Sequence, residues 1–442
     1  MKKIDSFYIE SLGCAKNSVD SRSMAELLIR AGLKESEKPE MAGIIIVNTC
    51  GFILPAREES LHTLRKFAGS KTEDQVLIAA GCLSEKEKLQ LTEEVDGLDA
   101  AFGTRRWADI LRVVEKARQH PASPYLHFPE SPMIEEGSQK VPRVAVQGGS
   151  AYLKIADGCD RGCAFCAIPL IKGPMVSRSI QAILDDAVLL QEMKAKEVIL
   201  IAQDSTAYGR DLGMRDGLPQ LLSEITNAAP EIPWLRVMYT FPGAISDELV
   251  KVMTENSRVL PYLDLPLQHA HPDALKRMRR PADIQLVEKT VAKVRSAVPG
   301  VALRTTFIVG FPGETEAEFQ YLKDFLEEMR FDHVGIFPYY HEQGTSAFNQ
   351  TDNIPQELKE ERIQILAASQ EKVSLKMNQS FIGRSLEVLI EGNGDGISAG
   401  RSYRDAPEID GLVMFDEELH VGSLIDARIT GALIHDLIAR KQ

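Results

Sequence analysis

The sequence predicts an α/β protein in three parts. An N-terminal parallel-sheet α/β domain covers residues 1–120, a linker 121–144, a partial β/α barrel of the TIM type 145–373, and a small β-barrel 374–442. Three observations predict this. Strand-like and helix-like segments alternate through the first 120 residues, as in a small parallel sheet. The same rhythm resumes after a proline-rich interval and supplies six strand candidates, which suits a barrel of parallel strands. The last 62 residues change to short strand candidates between Gly-rich turns.

In the first domain, Ser6–Glu10 reads as a strand and Ser18–Ile29 as an amphipathic helix. Gly43–Val47 is a continuous apolar run, as expected of a strand covered on both faces. A helix near Ala56–Phe67 follows, then a strand at Gln75–Ala80. Ser84 with Glu87 resembles a capping box opening the next helix. His120–Pro142 holds five prolines with little periodicity and reads as the linker. Barrel strands are expected at Ala151–Ala156, Val198–Ile201, Trp234–Tyr239, Tyr262–Leu265, Leu303–Val309 and Val334–Phe337, with helices between them. A charged helix near Gln356–Met377 leads out. Leu386–Ile390, Leu412–Phe415 and Leu424–Ile429 are the strand candidates of the tail.

The chain has 442 residues, is 44% hydrophobic and carries a formal charge of −13. It has no apolar run of about 18 residues, so no transmembrane helix is expected, and no secretory leader is evident. Six cysteines are too sparse for a disulfide scaffold; they read as ligands in a reducing, cytoplasmic setting. The acidic balance speaks against non-specific nucleic-acid binding.

The cysteines form two trios. Cys159, Cys163 and Cys166 lie in a CxxxCxxC loop with Gly158 and Gly162, straight after a strand. Glycines let a backbone wrap closely around a bulky group. A fourth nearby cysteine, which would saturate a ferredoxin-type cluster, is missing. Zinc would want four ligands, and no histidine lies between His127 and His269. Cys14, Cys50 and Cys82 each follow a predicted strand, and the carboxyl ends of parallel strands share one rim. Three buried structural cysteines is the alternative for that set. Three thiolates on an iron–sulfur cluster leave one iron free to bind something else.

The CxxxCxxC loop with Phe165 before its last cysteine resembles the signature of the radical S-adenosylmethionine superfamily. Ser11–Asn17, Val47–Gly51, Gly158–Pro169, Ala202–Thr206, Leu265–His269 and Phe307–Thr315 together make the whole chain similar to a methylthiotransferase, and within that family to its ribosomal-protein branch. The sequence departs from that pattern at Ala15, Ser21–Arg22, Lys172 and Ser179, none of them a cysteine.

The resemblance implies a TRAM-like fold for the tail and two [4Fe-4S] clusters with S-adenosyl-L-methionine as cofactors. Cys159, Cys163 and Cys166 would hold the cluster that cleaves S-adenosylmethionine, and Cys14, Cys50 and Cys82 a second cluster that presents sulfur. Phe165, Gln203, Asp204 and Arg178 would contact the bound S-adenosylmethionine. The implied reaction is methylthiolation at the β-carbon of an aspartate in the basic small-subunit ribosomal protein S-twelve. An electron donor would be a further partner.

Two other readings compete. One is methylthiolation of an adenosine in transfer RNA; the other is a non-catalytic iron–sulfur redox sensor or RNA-binding module. From Phe381 to Gln442, six Lys and Arg stand against eleven Asp and Glu. A barrel that grips transfer RNA should be basic; an acidic one suits a basic protein. Lys276–Arg280 is the one dense basic run in the barrel. It reads either as a contact with ribosomal RNA or as a solvated helix end.

Overall fold

The computed structural model describes residues 5–119, 122–129 and 141–442. Two compact units emerge, and each is described by itself. The first comprises the chain up to Ala145 with Tyr152–Arg161 and Cys166–Arg178; the second comprises Val146–Ala151, Gly162–Phe165 and Ser179–Gln442.

The first unit is built on six parallel strands: β1 (Ser6–Ser11), β2 (Lys34–Glu35), β3 (Ile44–Thr49), β4 (Val76–Ala80), β5 (Ala100–Phe102) and β6 (Tyr125–His127). Their order is β2-β1-β3-β4-β5-β6. Helices α1 (Ala15–Arg30), α2 (Leu54–Ser70), α3 (Gly81–Glu87), α4 (Leu89–Glu94) and α5 (Ile110–Ala117) connect them. Side chains alternate across a strand. Ile44 and Ile46 therefore enter one core with Phe7, Leu28, Ile78 and Val113, while Ile45 and Val47 enter the other with Leu61, Leu64, Phe67 and Leu77. An unbroken apolar run is what a strand buried on both faces requires.

Two readings need correction here. Ser84 opens no helix: α3 starts at Gly81, and the Ser84 hydroxyl lies inside it, 3.5 Å from Thr49 Oγ1. Glu87 instead takes Arg57. Tyr125–His127, within the span read as a linker, adds a sixth strand to the sheet through the pairs Ala100↔Tyr125, Ala101↔Leu126 and Phe102↔His127. A three-residue strand carries too little periodicity to stand out among prolines. Residue 121 and residues 130–140 of that span lie outside the described residues. Later in the same unit β9 (Ala156–Asp157) pairs antiparallel with β10 (Val176–Ser177), flanking α6 (Ile168–Lys172); β7 (Val144–Gln147) and β8 (Ser150–Lys154) precede them.

The second unit continues with α7 (Ile180–Glu192), β11 (Glu197–Ile201), α8 (Gly217–Ala228), β12 (Trp234–Val237), α9 (Asp247–Glu255), β13 (Tyr262–Asp264), α10 (Pro272–Arg277) and α11 (Ile284–Ala297). Then come β14 (Ala302–Val309), α12 (Glu316–Met329), β15 (His333–Pro338) and α13 (Gln356–Gln379). β11 pairs parallel with β12, and β13, β14 and β15 pair parallel in that order. Backbone bonds Leu260 N to Leu235 O (2.9 Å) and Thr240 N to Asp264 O (3.0 Å) join the two groups. Gly149 O accepts from Lys196 N at 2.8 Å and extends the arc past β11. The strands form an open arc of the partial-barrel kind.

Strands β16 (Ser385–Gly394), β17 (Ile397–Ser402), β18 (Val413–Phe415), β19 (Leu424–Ala432) and β20 (Leu437–Lys441) close into a barrel ordered β16-β17-β18-β20-β19. Its segment 401–410 docks on the amino ends of the arc through buried ion pairs. Glu197 pairs with Arg236 (2.6 Å) and Arg401 (2.6 Å). Asp410 takes Tyr262 (2.6 Å) and Arg304 (3.3 Å), and Arg404 takes Asp332 (3.1 Å). The small barrel is thereby fixed to the core at the end opposite the strands' carboxyl termini. Among the described residues no helix is long and apolar enough to cross a membrane.

Candidate functional site

The register of β1, β3 and β4 carries Cys14, Cys50 and Cys82 to one edge of the first sheet. Cys14 caps α1, three residues past β1; Cys50 directly follows β3; Cys82 is the second residue of α3, just past β4. Two glycines make this convergence feasible. At Gly13 (φ +87°) a Cβ would lie 2.7 Å from Cys50 Cβ and 2.9 Å from Cys50 Sγ. At Gly81 (φ +96°) a Cβ would lie 2.4 Å from Asn48 Oδ1. Both positive φ values suit glycine.

A buried amide network holds the edge. Asn17 Nδ2 donates to Leu12 O (2.9 Å) and Thr49 O (3.0 Å), while its Oδ1 lies 3.6 Å from Cys82 Sγ. Asn48 Nδ2 donates to Asn17 O and Ser21 Oγ, both at 2.9 Å. Asn17 and Asn48 were visible only as letters within motifs; the signal for Asn48 is a polar residue inside an otherwise apolar buried strand.

The thiols are unlike one another. Cys82 is buried, and that burial, with Cys14 and Cys50 nearby, pushes its thiol up to about 12. Burial likewise raises Cys50. Cys14 keeps an exposed surface although the chain is dense around it. That density would raise its thiol, but Lys16, the Asn17 amide and Lys172 outweigh it and leave Cys14 below the ordinary value. Lys172 acts to lower all three thiols.

Among the described residues no three His, Cys, Asp or Glu side chains could hold a single metal ion. Three thiol donors brought to one sheet edge are the soft-ligand set that an iron–sulfur cluster takes.

The second trio occupies one loop that both units share. In the first unit, Cys159 N donates to Gly173 O (3.0 Å), and its Sγ accepts from Arg161 N (3.4 Å). Gly158 (φ +76°) has no room for a Cβ, which would lie 2.0 Å from Pro174 O. Cys166 belongs to the same unit, where the next residue, Ala167, packs with Ile171 and Cys82. Arg178 is buried and donates from Nη1 to Lys154 O at 2.8 Å.

In the second unit, Arg280 Nη1 lies 3.6 Å from Cys163 Sγ, and its guanidinium stacks 4.3 Å from the Phe241 ring. Phe165 packs on Ala164, Met278, Phe311, Tyr339 and Ala347. Gln203 and Asp204 follow β11 at its carboxyl end; Asp204 is buried and accepts from Thr206 Oγ1. Glu314 accepts from Gly310 N (2.9 Å) and pairs with Arg362 (2.6 Å), clamping the Gly310–Glu314 turn. His269 is buried, its Nδ1 accepting from His271 N at 2.9 Å. The basic run is divided: Arg277 forks onto Glu318 (2.9 and 2.7 Å) and Arg280 is engaged as described, while Lys276, paired with Asp273 at the surface, and Arg279 stay exposed.

Comparison with known proteins follows the same division. Residues 6–103 match Uncharacterized protein family UPF0004, residues 153–326 the radical SAM superfamily, and residues 382–441 the TRAM domain. A parallel-sheet domain, a radical S-adenosylmethionine core and a TRAM barrel in this order, with two cysteine trios, define a radical S-adenosylmethionine methylthiotransferase.

Among curated relatives, "Ribosomal protein uS12 methylthiotransferase RimO" of Roseiflexus sp. (strain RS-1) is 44% identical over 98% of this chain and 96% of its own. The protein of that name from Chloroflexus aurantiacus is 42% identical over 98% of each chain. The chain belongs to the family of ribosomal protein uS12 methylthiotransferases, RimO. Among solved structures, the radical S-adenosylmethionine methyltransferase TsrM from Kitasatospora setae aligns with a TM-score of 0.56 at 12% identity. The alignment covers 89% of this chain and 76% of that one, a likeness of fold alone.

Proposed function

We propose that this protein methylthiolates the β-carbon of an aspartate in ribosomal protein uS12. The observation that carries this reading is the full-length likeness to RimO proteins of two bacterial genera, joined to two trios of free cysteines. Cys159, Cys163 and Cys166 would hold one [4Fe-4S] cluster, and Cys14, Cys50 and Cys82 another. With S-adenosyl-L-methionine bound, the clusters would supply homolytic carbon–sulfur cleavage and a source of sulfur.

The chain's own part is to bind and to shield. Gly158 lets the backbone close on the first cluster, and Arg280 offers a cation beside Cys163. Phe165, Gln203 and Asp204 would line the adenosyl and methionine moieties, as carboxyl-end residues of a β/α barrel do. Arg178 stands at the margin of that set, because its Nη1 already serves the Lys154 carbonyl. Gly13, Asn17 and Asn48 keep Cys14, Cys50 and Cys82 on one rim.

The TRAM barrel favours a basic protein over transfer RNA. Arg401 and Arg404 are consumed by buried pairs, leaving Arg384, Arg428, Arg440 and Lys441 exposed against Glu387, Asp395, Glu408, Asp416, Glu417, Glu418 and Asp426. Phosphate contacts dominate nucleic-acid affinity, and this surface offers few. With Arg277 and Arg280 occupied, Lys276 and Arg279 are the exposed cations that the Lys276–Arg280 run leaves for ribosomal RNA.

The test is a side-by-side incubation of the reconstituted protein, S-adenosylmethionine and a reductant with uS12 or with transfer RNA, read by mass spectrometry. A methylthiolated aspartate in uS12 is expected. Unmodified uS12 alongside methylthiolated transfer RNA would overturn the substrate, and no deoxyadenosine from a chain holding both clusters would return the sensor reading.

A further inference from the structure

Within the second unit the carboxyl end of α10 is tied to the segment Gly162–Phe165 of the cysteine loop. Ala164 N, next to Cys163, donates to Met278 O at 2.9 Å, and Ala164 O accepts from Ala347 N at 2.8 Å. Past Met278 the chain turns sharply. Arg279 N donates to Lys276 O (3.0 Å) and Arg280 N to Leu275 O (2.8 Å), the paired bonds of a Schellman ending. Arg279 takes φ +53°, where such endings usually carry glycine. A side chain held in that conformation marks a place where the surroundings over-determine the backbone. The residue that this turn delivers to the loop is Arg280.

The Arg280 guanidinium is held on three sides: Nη1 donates to Cys163 Sγ at 3.6 Å, Nη2 donates to Pro266 O just past β13, and its plane lies 4.3 Å from the Phe241 ring just past β12. Arg277, one turn earlier, spends its charge on Glu318. Arg280 makes no ion pair with Asp or Glu among the described residues, and its Nε is buried without a hydrogen-bond partner. A half-buried cation with no carboxylate is balanced best by an anion in contact with it. The contact it has is a cysteine sulfur.

We propose that Arg280 is a positioning residue that donates a charge-assisted hydrogen bond to the Cys163 thiolate and so raises the reduction potential of the cluster on Cys159, Cys163 and Cys166. This rests on the reading of that trio as cluster ligands. Hydrogen bonds to the sulfurs are among the features that set such potentials. Reduction takes one electron from the external one-electron donor and adds negative charge at the thiolates; a fixed cation beside one of them favours that form. Arginine suits the place because its planar fork serves a sulfur and a carbonyl at once while its face rests on an aromatic ring, which a lysine cannot copy.

The test uses the full chain with Cys14, Cys50 and Cys82 replaced by alanine, reconstituted anaerobically with iron and sulfide. It is titrated with a low-potential reductant under electron paramagnetic resonance, without S-adenosylmethionine. R280M is expected to lower the midpoint so that the reduction equilibrium falls at least tenfold, which is about 59 mV for one electron. R280K, which keeps the charge and loses the fork, should fall by less, and R277M, on the same helix, should match the parent. An unchanged midpoint in R280M with an intact cluster signal, or an equal fall in R277M, would overturn the proposal. Should R280M take up no iron, R280K decides: a midpoint below the parent sustains the proposal, and an unchanged midpoint or a missing cluster there too overturns it in favour of a structural role. A parent that binds no cluster would overturn the ligand reading and this inference together.

Discussion

Gly13→Ala separates the two jobs that glycine does at the first rim. The backbone at Gly13 sits at φ +87°, where an L side chain costs about 1–2 kcal/mol. The added Cβ would also meet Cys50 Cβ at 2.7 Å and Cys50 Sγ at 2.9 Å, so one cysteine must shift. Gly32 provides the control: its φ is +90°, yet nothing lies within 4 Å of the Cβ position. G32A should therefore lose about 1–2 kcal/mol and keep its iron. G13A should lose at least as much and, in addition, fail to load the cluster on Cys14, Cys50 and Cys82. Iron and sulfide per chain, measured after reconstitution, should fall by about half in G13A alone, while chemical unfolding of the iron-free chains reports the backbone cost in both. A G13A chain with full iron content would refute the claim that this close approach is what assembles the rim.

Two further outcomes follow from other parts of the fold. Glu197 is fully buried, which alone would raise its carboxyl, yet Arg236 and Arg401 hold it down at about 2. Because its folded value lies below the ordinary one, its contribution is complete above about pH 4.5 and fades as pH falls toward 2. The urea midpoint of the wild type should drop through that window; E197Q should show a shallower drop and start about 3–5 kcal/mol less stable, since two guanidiniums lose their carboxylate. An acid profile identical in the two chains would contradict this. Thr315 and Glu318 close a capping box on α12, so T315A should cost about 1 kcal/mol with no change in iron content; an unaltered melting curve would count against the cap.

The architecture was largely legible because its signals are periodic. The amphipathic helix expected at Ser18–Ile29 lies within α1, found at Ala15–Arg30. The apolar run at Gly43–Val47 marks β3 for the same reason. Short elements escaped: β2, β5 and β6 offer only two or three residues, too few for a period to declare itself, and the false capping box at Ser84 arose because α3 starts three residues earlier, on a glycine at positive φ.

The gathering of Cys14, Cys50 and Cys82 could be anticipated from their place after successive parallel strands. Their support could not. Asn17 and Asn48 matter through a contact 31 residues apart, and a single sequence carries no trace of such pairing. Arg280 was likewise read as a solvated or RNA-facing charge, whereas its partners, Phe241 and Cys163, come from other strands' ends and loops.

The division of labour between the two trios is tested most directly by replacing Cys14, Cys50 and Cys82 together with alanine. The reconstituted variant is incubated with uS12, S-adenosylmethionine and dithionite, and deoxyadenosine release and uS12 mass are followed in the same tube. Deoxyadenosine should still form while uS12 gains no methylthio group. A methylthiolated uS12 from that variant would contradict the account.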